Sequence, residues 1–514
     1  MLAFIGRRLA VIAIILLGSS FLVYNLEAIA ADPLEDIRNS TAQNKDFLIA
    51  AMTRKYNLDV PPPARYFIWL KGVLGVFWGA PNLGKTLEGQ KVVEAISNAI
   101  PITVRLVLAA TIIAIVLGIT IGVVTAIRQY SRFDYSMTFV SFLLFSLPIF
   151  WVAVLLKQFL AIQFNDFLEK PHIPITFIIP AALIFGWVLA SAIGGERKRY
   201  WTSFGTAALA AGLVLFVLDI TQWFSNPGLG PIVITILGAG FAFGVTAISV
   251  GLGNRRALYS SLTMAGLGLV LYYPLQMVFA TKVNGMTLLG LFAALVVAAV
   301  ASGYFWSKVD KGSVIRTTLI VAFMISLLHL FDRMLQAFPN YYNSDSINRR
   351  PVPTVNINNP LLSEKELSNF WVWSLDTTLH MLLPTIALTL ISFAGYVRYS
   401  RGSLLEVLNM DYIRTARAKG LSERTVIVRH ALRNAMIPLT TLMAWDFAGV
   451  IGGAIITERV FSWKGMGTLF NQAIGMMDLN LLMGVFVITS FMAVLANLVA
   501  DLLYTALDPR IRVK

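Results

Sequence analysis

Twelve apolar stretches of membrane-crossing length recur along this chain, near residues 8–28, 103–127, 134–160, 174–192, 203–220, 228–250, 257–279, 286–306, 313–331, 378–397, 437–457 and 482–506. A hydrocarbon layer about 30 Å thick is crossed by a helix of roughly 20 residues. Only helices and closed barrels satisfy every backbone polar group there. The runs are continuous rather than alternating, so they read as helices, and the fold class is an all-α polytopic membrane protein. Composition agrees: 13% of the 514 residues are charged and mean hydropathy is +0.73, too little charge to cover a soluble protein of this size. The first run follows Arg7 and Arg8 and ends near a weak cleavage-like Ala-Ile-Ala-Ala, residues 28–31. Its length favours an uncleaved helix with the N-terminus inside over a signal peptide.

Lysine and arginine in short loops orient the spans. With the N-terminus inside, the inner loops hold Arg128 and Arg132; Arg197, Lys198 and Arg199; Arg255 and Arg256; Lys308, Lys311 and Arg316; the basic stretch 398–433; and Arg510, Arg512 and Lys514. The opposite short loops, 221–228 and 281–285, are poor in charge. The net charge of +14 is thereby explained by loops facing the cytoplasm, and nucleic acid is not an expected partner. Two long segments, 30–102 and 332–376, fall outside. The second carries Arg349 and Arg350 against the rule, which long loops escape more easily.

Several chemistries are excluded. There is no cysteine, and the four histidines (His172, His329, His380, His430) have no ligand spacing, so no metal site is expected. Residues 79–86, GAPNLGKT, satisfy the phosphate-binding pattern G-x-x-x-x-G-K-[ST]. That loop needs a strand behind it and cytoplasmic nucleotide in front of it, yet this stretch lies in the first external segment. It reads as an external turn. No His/Asp/Glu cluster at one membrane face suggests an enzyme.

The most informative segment is 411–439, DYIRTARAKGLSERTVIVRHALRNAMIPL. A helix-sized stretch ends at Lys419, followed by Gly420, a helix-terminating residue. Ser422 is placed to cap a second helix, with Thr425 three residues on. That helix leads through Pro438 into the 437–457 span. Ala416 and Ala418 are small enough for another protein to approach closely, and Arg414, Arg417 and Lys419 can pair with acidic groups at such a contact. The bland alternative is a basic loop obeying topology alone, but this loop is longer and more structured than topology requires.

The stretch resembles the EAA loop of permease subunits of ATP-binding-cassette (ABC) importers, in the form found in the dipeptide/oligopeptide/nickel permease family. Aligned on Gly420, the general Glu-Ala-Ala falls on Arg414, Thr415 and Ala416, of which only Ala416 matches. The general Ile-x-Leu-Pro is replaced by His430, Ala431, Leu432 and Arg433. The peptide-family version, Arg-Thr-Ala-Arg-Ala-Lys-Gly-Leu followed by His-Ala-Leu-Arg-Asn-Ala, is matched closely. The first helix, the segment 56–79, the stretch 452–469 (with Lys464 where proline is usual) and the closing 497–512 are also similar to that family.

The resemblance implies a type I importer permease core of six spans, here with about six more inserted. The division is 1–165 for the N-terminal half, 166–345 for the inserted membrane region, 346–376 for an external loop, and 377–514 for the C-terminal half with its coupling loop at 398–436. An even number of inserted spans leaves the coupling loop inside. The insertion is expected to serve lateral packing, partner docking or support of the external loop. By resemblance the chain is no enzyme and binds no cofactor. Partner ATPases hold ATP and magnesium, a second permease completes the pore, an external binding protein delivers peptide, and the chain sits in a bacterial or archaeal plasma membrane with both termini cytoplasmic. Residues 414–421 (Arg414, Thr415, Ala416, Arg417, Ala418, Lys419, Gly420, Leu421) are the implied contact with the ATPase.

Asp446 lies mid-span, where an acid is costly and faces a cavity or a partner: it reads equally as pore lining or as a hydrogen bond to a neighbouring helix. Gly449 and Gly453, like Gly118 and Gly122, form G-x-x-x-G pairs that mark close helix packing, with a gating hinge as the sharper alternative. Asp501 is expected to pair with a loop arginine. Glu458 and Trp463, at the outer mouth, read as contacts for the binding protein or substrate, or as loop caps and interfacial anchors. Nickel complexes or oligosaccharides are alternative cargoes, and a secondary transporter is the rival class; it calls for two related halves, and the 411–433 loop has no counterpart in the first half.

Overall fold

The computed structural model describes residues 2–30, 32–41, 43–281, 283–307, 309–452 and 454–507. These residues are helical throughout, apart from turns and one isolated bridge between Lys85 and Lys91. Among them, ten helices are long and apolar enough to cross a membrane, or eleven if Arg255–Val270 and Tyr272–Ala280, bent by 53°, form one span. The remaining expected run, 437–457, is occupied by the helix Leu432–Gly452.

One run divides differently from the sequence reading. The helix Arg132–Ser146 stops at Leu147, which is extended ahead of Pro148. A proline disfavours helical backbone in the residue before it. The crossing segment is therefore Ile149–Glu169, which passes through a π-helical turn at Lys157–Ile162.

Two long helices, Val92–Ile127 and Phe370–Leu408, make the most extensive packing in the chain. Gly118 and Gly122 permit it. A Cβ on Gly118 would stand 3.2 Å from the Phe393 carbonyl oxygen, and one on Gly122 2.8 Å from that of Val397. This glycine pair is a packing seam, as its spacing suggests.

The region 166–345 resolves into a hairpin, Ile175–Ile193 with Arg197–Ile220, and a bundle built from Gly230–Ser249, the bent pair, Gly285–Trp306 and Lys311–Gln336. Small residues (Ala242, Ala265, Ala299, Ala322) line the bundle interior, and Ser260 bonds Ser302 at 3.1 Å and Thr318 at 2.7 Å across it. At one end the bundle meets the helix Phe370–Leu408: Trp371 Nε1 donates to the Phe279 carbonyl at 2.9 Å and the Tyr341 hydroxyl to Asp376 at 2.8 Å. The segment 346–376 is anchored there too, since Asn165 and Val352 exchange two hydrogen bonds and the Asn359 backbone donates to Asp376.

Contacts between loops sort into two faces that match the charge-based orientation. On one, Arg128 reaches the Ser191 carbonyl, Arg132 lies over Tyr200, Arg401 pairs with Asp134, and Arg424 donates to the Ile248 carbonyl. On the other are the 346–376 contacts and the pairing of His172 with Asp219. The turn at 79–86 also lies on that second face. Tyr56 donates to the Thr86 carbonyl at 2.7 Å, Asn480 to the Lys85 carbonyl at 3.0 Å, and Leu87 N–H to Asp478 at 2.7 Å. No strand precedes it and it is held by its own chain, so it is a turn and lacks the strand that a phosphate-binding loop needs.

Candidate coupling surface and pore helix

The stretch from 411 builds a compact tip. The helix Asp411–Ala418 ends at Lys419, and Gly420 follows with φ +74°, a left-handed conformation that glycine adopts without steric cost. Ser422 then caps the next turn, its hydroxyl accepting from Thr425 N–H. From Glu423 the backbone stays helical through a π turn at Val426–Ala431 and on to Gly452, with Pro438 inside. Past the turn at 419–422, the tip is thus joined to a membrane helix.

Burial splits the tip into two sides. Ile413 and Ala416 point inward, into a cluster with Ala126, Leu404, Val426, Ala431 and Ala435. Ala416 is therefore a packing residue of its own chain, because helical spacing sets it on the Ile413 face; of the two alanines, Ala418 alone is exposed. Arg414, Thr415, Arg417, Lys419, Gly420 and Leu421 are exposed with it. Arg417 is engaged by Glu423 at 2.6 Å, and this hydrogen bond holds the Glu423 carboxyl below the usual carboxylate range. Arg414 stands 3.5 Å from the exposed Asp411. Behind the tip, Arg401 makes a two-pronged contact with buried Asp134, at 2.7 and 2.9 Å, tying Phe370–Leu408 to Arg132–Ser146.

On the helix Leu432–Gly452, Asp446 is half-buried and accepts a hydrogen bond from Tyr396 at 2.7 Å. Trp445 and Phe447 beside it are exposed. Among the described residues, no atom outside the helix's own nearby backbone and Gly449's two chain neighbours lies within 4 Å of where a Cβ on Gly449 would sit, so its half of the glycine pair is not packed against another described helix. The spacing alone did not distinguish a seam within the chain from an open face. Gly453 lies outside the described residues. Asp501 is on the helix Leu479–Leu507, with its side chain outside the description.

Glu458 and Trp463 correct the outer-mouth reading. Both are buried, at 0% and 1% exposure, and neither is available to another protein. Glu458 accepts from the Thr103 hydroxyl at 2.7 Å and from Thr468 N–H at 2.9 Å, joining Val92–Ile127 to the start of Met466–Gly475. Trp463 packs with Leu106, Leu383 and Phe461. The loop-cap alternative describes Glu458: a carboxylate is stabilised at a helix N-terminus, where backbone N–H groups are free.

The family model described as the binding-protein-dependent transport system inner membrane component matches residues 313–513. The likeness to this family is to that segment. It holds the tip, the helix Leu432–Gly452 and Glu458, and begins within the last of the six helices assigned to the inserted region. The oligopeptide transport system permease protein OppB of Mycobacterium tuberculosis is 44% identical over 138 residues, 27% of this chain and 42% of the relative. The oligopeptide permease protein AppB of Bacillus subtilis is 43% identical over 136 residues, 26% and 43%. The dipeptide permease protein DppB of Escherichia coli is 46% identical over 140 residues, 27% and 41%. The chain spans about two-fifths of the length of these relatives. The resemblance drawn from the 411–439 motif is borne out, as is the polytopic helical class.

Three of these contacts carried no readable signal. Ile413 is one apolar residue among charges, and only its helical offset from Ala416 marks its face. The Asp134–Arg401 pair is separated by 267 positions. The Tyr396–Asp446 bond joins two spans, and nothing in either names the other.

Proposed function

We propose that this chain is a permease subunit of an ATP-driven importer of short peptides, in which the tip 411–424 seats on a cytoplasmic ATPase. One observation supports the reading: an exposed basic tip helix turns at a left-handed glycine into a helix that runs unbroken from Glu423 into the span that carries Asp446. A push on the tip is transmitted because the short turn is held by the Arg417–Glu423 pair and by the buried Ile413 face, and the helix beyond it is stiff along its axis. The open face around Trp445, Asp446, Phe447 and Gly449 is where a second permease completes the pore. Peptide as cargo is supported by the relatives' names and by the peptide-family form of the motif. Both termini and the arginine-rich face are cytoplasmic in this reading, which follows the positive-inside bias.

The test is co-expression with candidate ATPase, permease and receptor subunits. Arg414→Glu with Lys419→Glu places two acids on the tip without touching the Ile413 face. The protein is expected to insert normally, while ATPase co-purification and peptide uptake fall at least tenfold. Uptake at the wild-type rate refutes the assignment of the tip.

A further inference from the structure

A second polar site lies on the face opposite the tip. The end of the first span, the segment 32–59, the helix Pro62–Leu74 and the start of Leu479–Leu507 enclose a cavity of about 440 Å³. This is within the range of small-ligand pockets, about 300–1,000 Å³. Arg65 lines it. Arg65 is 8% exposed, its Nε is sealed from solvent without a hydrogen-bond partner, and it forms no ion pair among the described residues. A buried cation without a counter-charge is costly, so this guanidinium is built for an anion that arrives from outside.

The same wall carries Glu27, Asp32, Asp59 and Asp478. Asp32 is taken by Arg38, and Asp478 by Leu87 and Leu481 N–H. Glu27 and Asp59 have no such partner among the described residues. One uncommitted cation and two uncommitted carboxylates share one cavity, with the Tyr24 and Tyr56 rings beside them.

We propose that this cavity holds a small zwitterion of the free-dipeptide class, its carboxylate on Arg65 and its ammonium toward Glu27 and Asp59. The class of ligand rests on the peptide-importer reading above; the site itself does not. Guanidinium and carboxylate form paired, charge-assisted hydrogen bonds, which sets the polarity of the bound molecule.

Calorimetry on the purified full chain in maltoside detergent tests this with dialanine, N-acetyl-dialanine, dialanine amide and dihexanoylphosphatidylethanolamine. Dialanine is expected to bind. The amide and the variant Arg65→Gln each lose at least tenfold, and the amide loses nothing further in Arg65→Gln. N-acetylation and the pair Glu27→Gln, Asp59→Asn behave the same way at the other end. Ligand-free Arg65→Gln is expected to melt at or above the wild-type temperature, because it removes an unpaired buried charge. A lower melting temperature, dialanine binding indifferent to Arg65→Gln, or binding of the phospholipid without dialanine overturns the proposal. If dialanine binds through Arg65 but no ATPase engages the chain, the importer reading fails and the site stands. If uptake proceeds while Arg65→Gln changes no binding, the site fails alone.

Discussion

Ile413→Ala probes how the tip is held. The Ile413 side chain is fully buried among Leu404, Val426, Ala431 and Ala435. Truncation removes three carbons, worth about 2.4 kcal/mol at about 0.8 kcal/mol per methylene. The cavity left behind raises the loss to about 3 kcal/mol, within the range measured for Ile→Ala. The helix Asp411–Ala418 has eight residues, too few to persist without packing. Its docked population should therefore fall roughly a hundredfold against the undocked one, since about 1.4 kcal/mol is a factor of ten. Hydrogen exchange on the full chain in lipid nanodiscs reads this directly. Amides of 413–418 should exchange about a hundredfold faster, while those of Val92–Ile127 stay unchanged. Ile413→Leu, which keeps the volume, should behave close to wild type. In the proposed assembly, ATP hydrolysis by the partner ATPase should be less tightly linked to uptake with the Ala variant. Unchanged exchange at 413–418 would refute the claim that this residue seats the tip.

Gly122→Val should drive a side chain into the Val397 carbonyl and lower the melting temperature sharply, whereas Gly449→Ala should leave the isolated chain's melting unchanged; a scanning calorimeter distinguishes them. Asp134→Ala strands Arg401 and should cost about 2–3 kcal/mol, reduced from the fully buried figure because Arg401 is partly solvated; adding Arg401→Met should restore most of it in denaturant titrations. Glu458→Ala leaves the Thr103 hydroxyl proton without an acceptor, though its oxygen still accepts from Met466 N–H, and leaves Thr468 N–H unpartnered, at about 1–3 kcal/mol each, and should lower thermal stability more than Glu458→Gln. Glu366 is held below the usual carboxylate range by hydrogen bonds first from Ser344 and then from Ser363. Its stabilisation is present above the ordinary glutamate value and is lost as pH falls through the depressed one. Proteolysis within 345–363 should accelerate on acidification in the wild type and show no such pH step in Glu366→Gln.

Span positions were legible because hydrocarbon imposes one length on every crossing, and the Gly420 break because few residues accept a left-handed backbone. The break at Leu147–Pro148 was written in the proline but masked by apolar residues on both sides, so two helices read as one. Glu458 was misplaced for a different reason. A charged residue beside a turn is ordinarily solvated, and its burial depends on Thr103, 355 positions away. The open side of Gly449 was equally unreadable, since a small residue marks a seam without naming the helix that fills it.

The turn at 79–86 is fastened to Asp478 and Asn480, almost 400 positions further along. During synthesis the turn must therefore wait, unlatched, until Asp478 and Asn480 have been made. Closing of that clasp reports that the helix Leu479–Leu507 has begun to arrive, and a chain stalled before residue 478 would present the turn loose to the proteases that patrol the membrane.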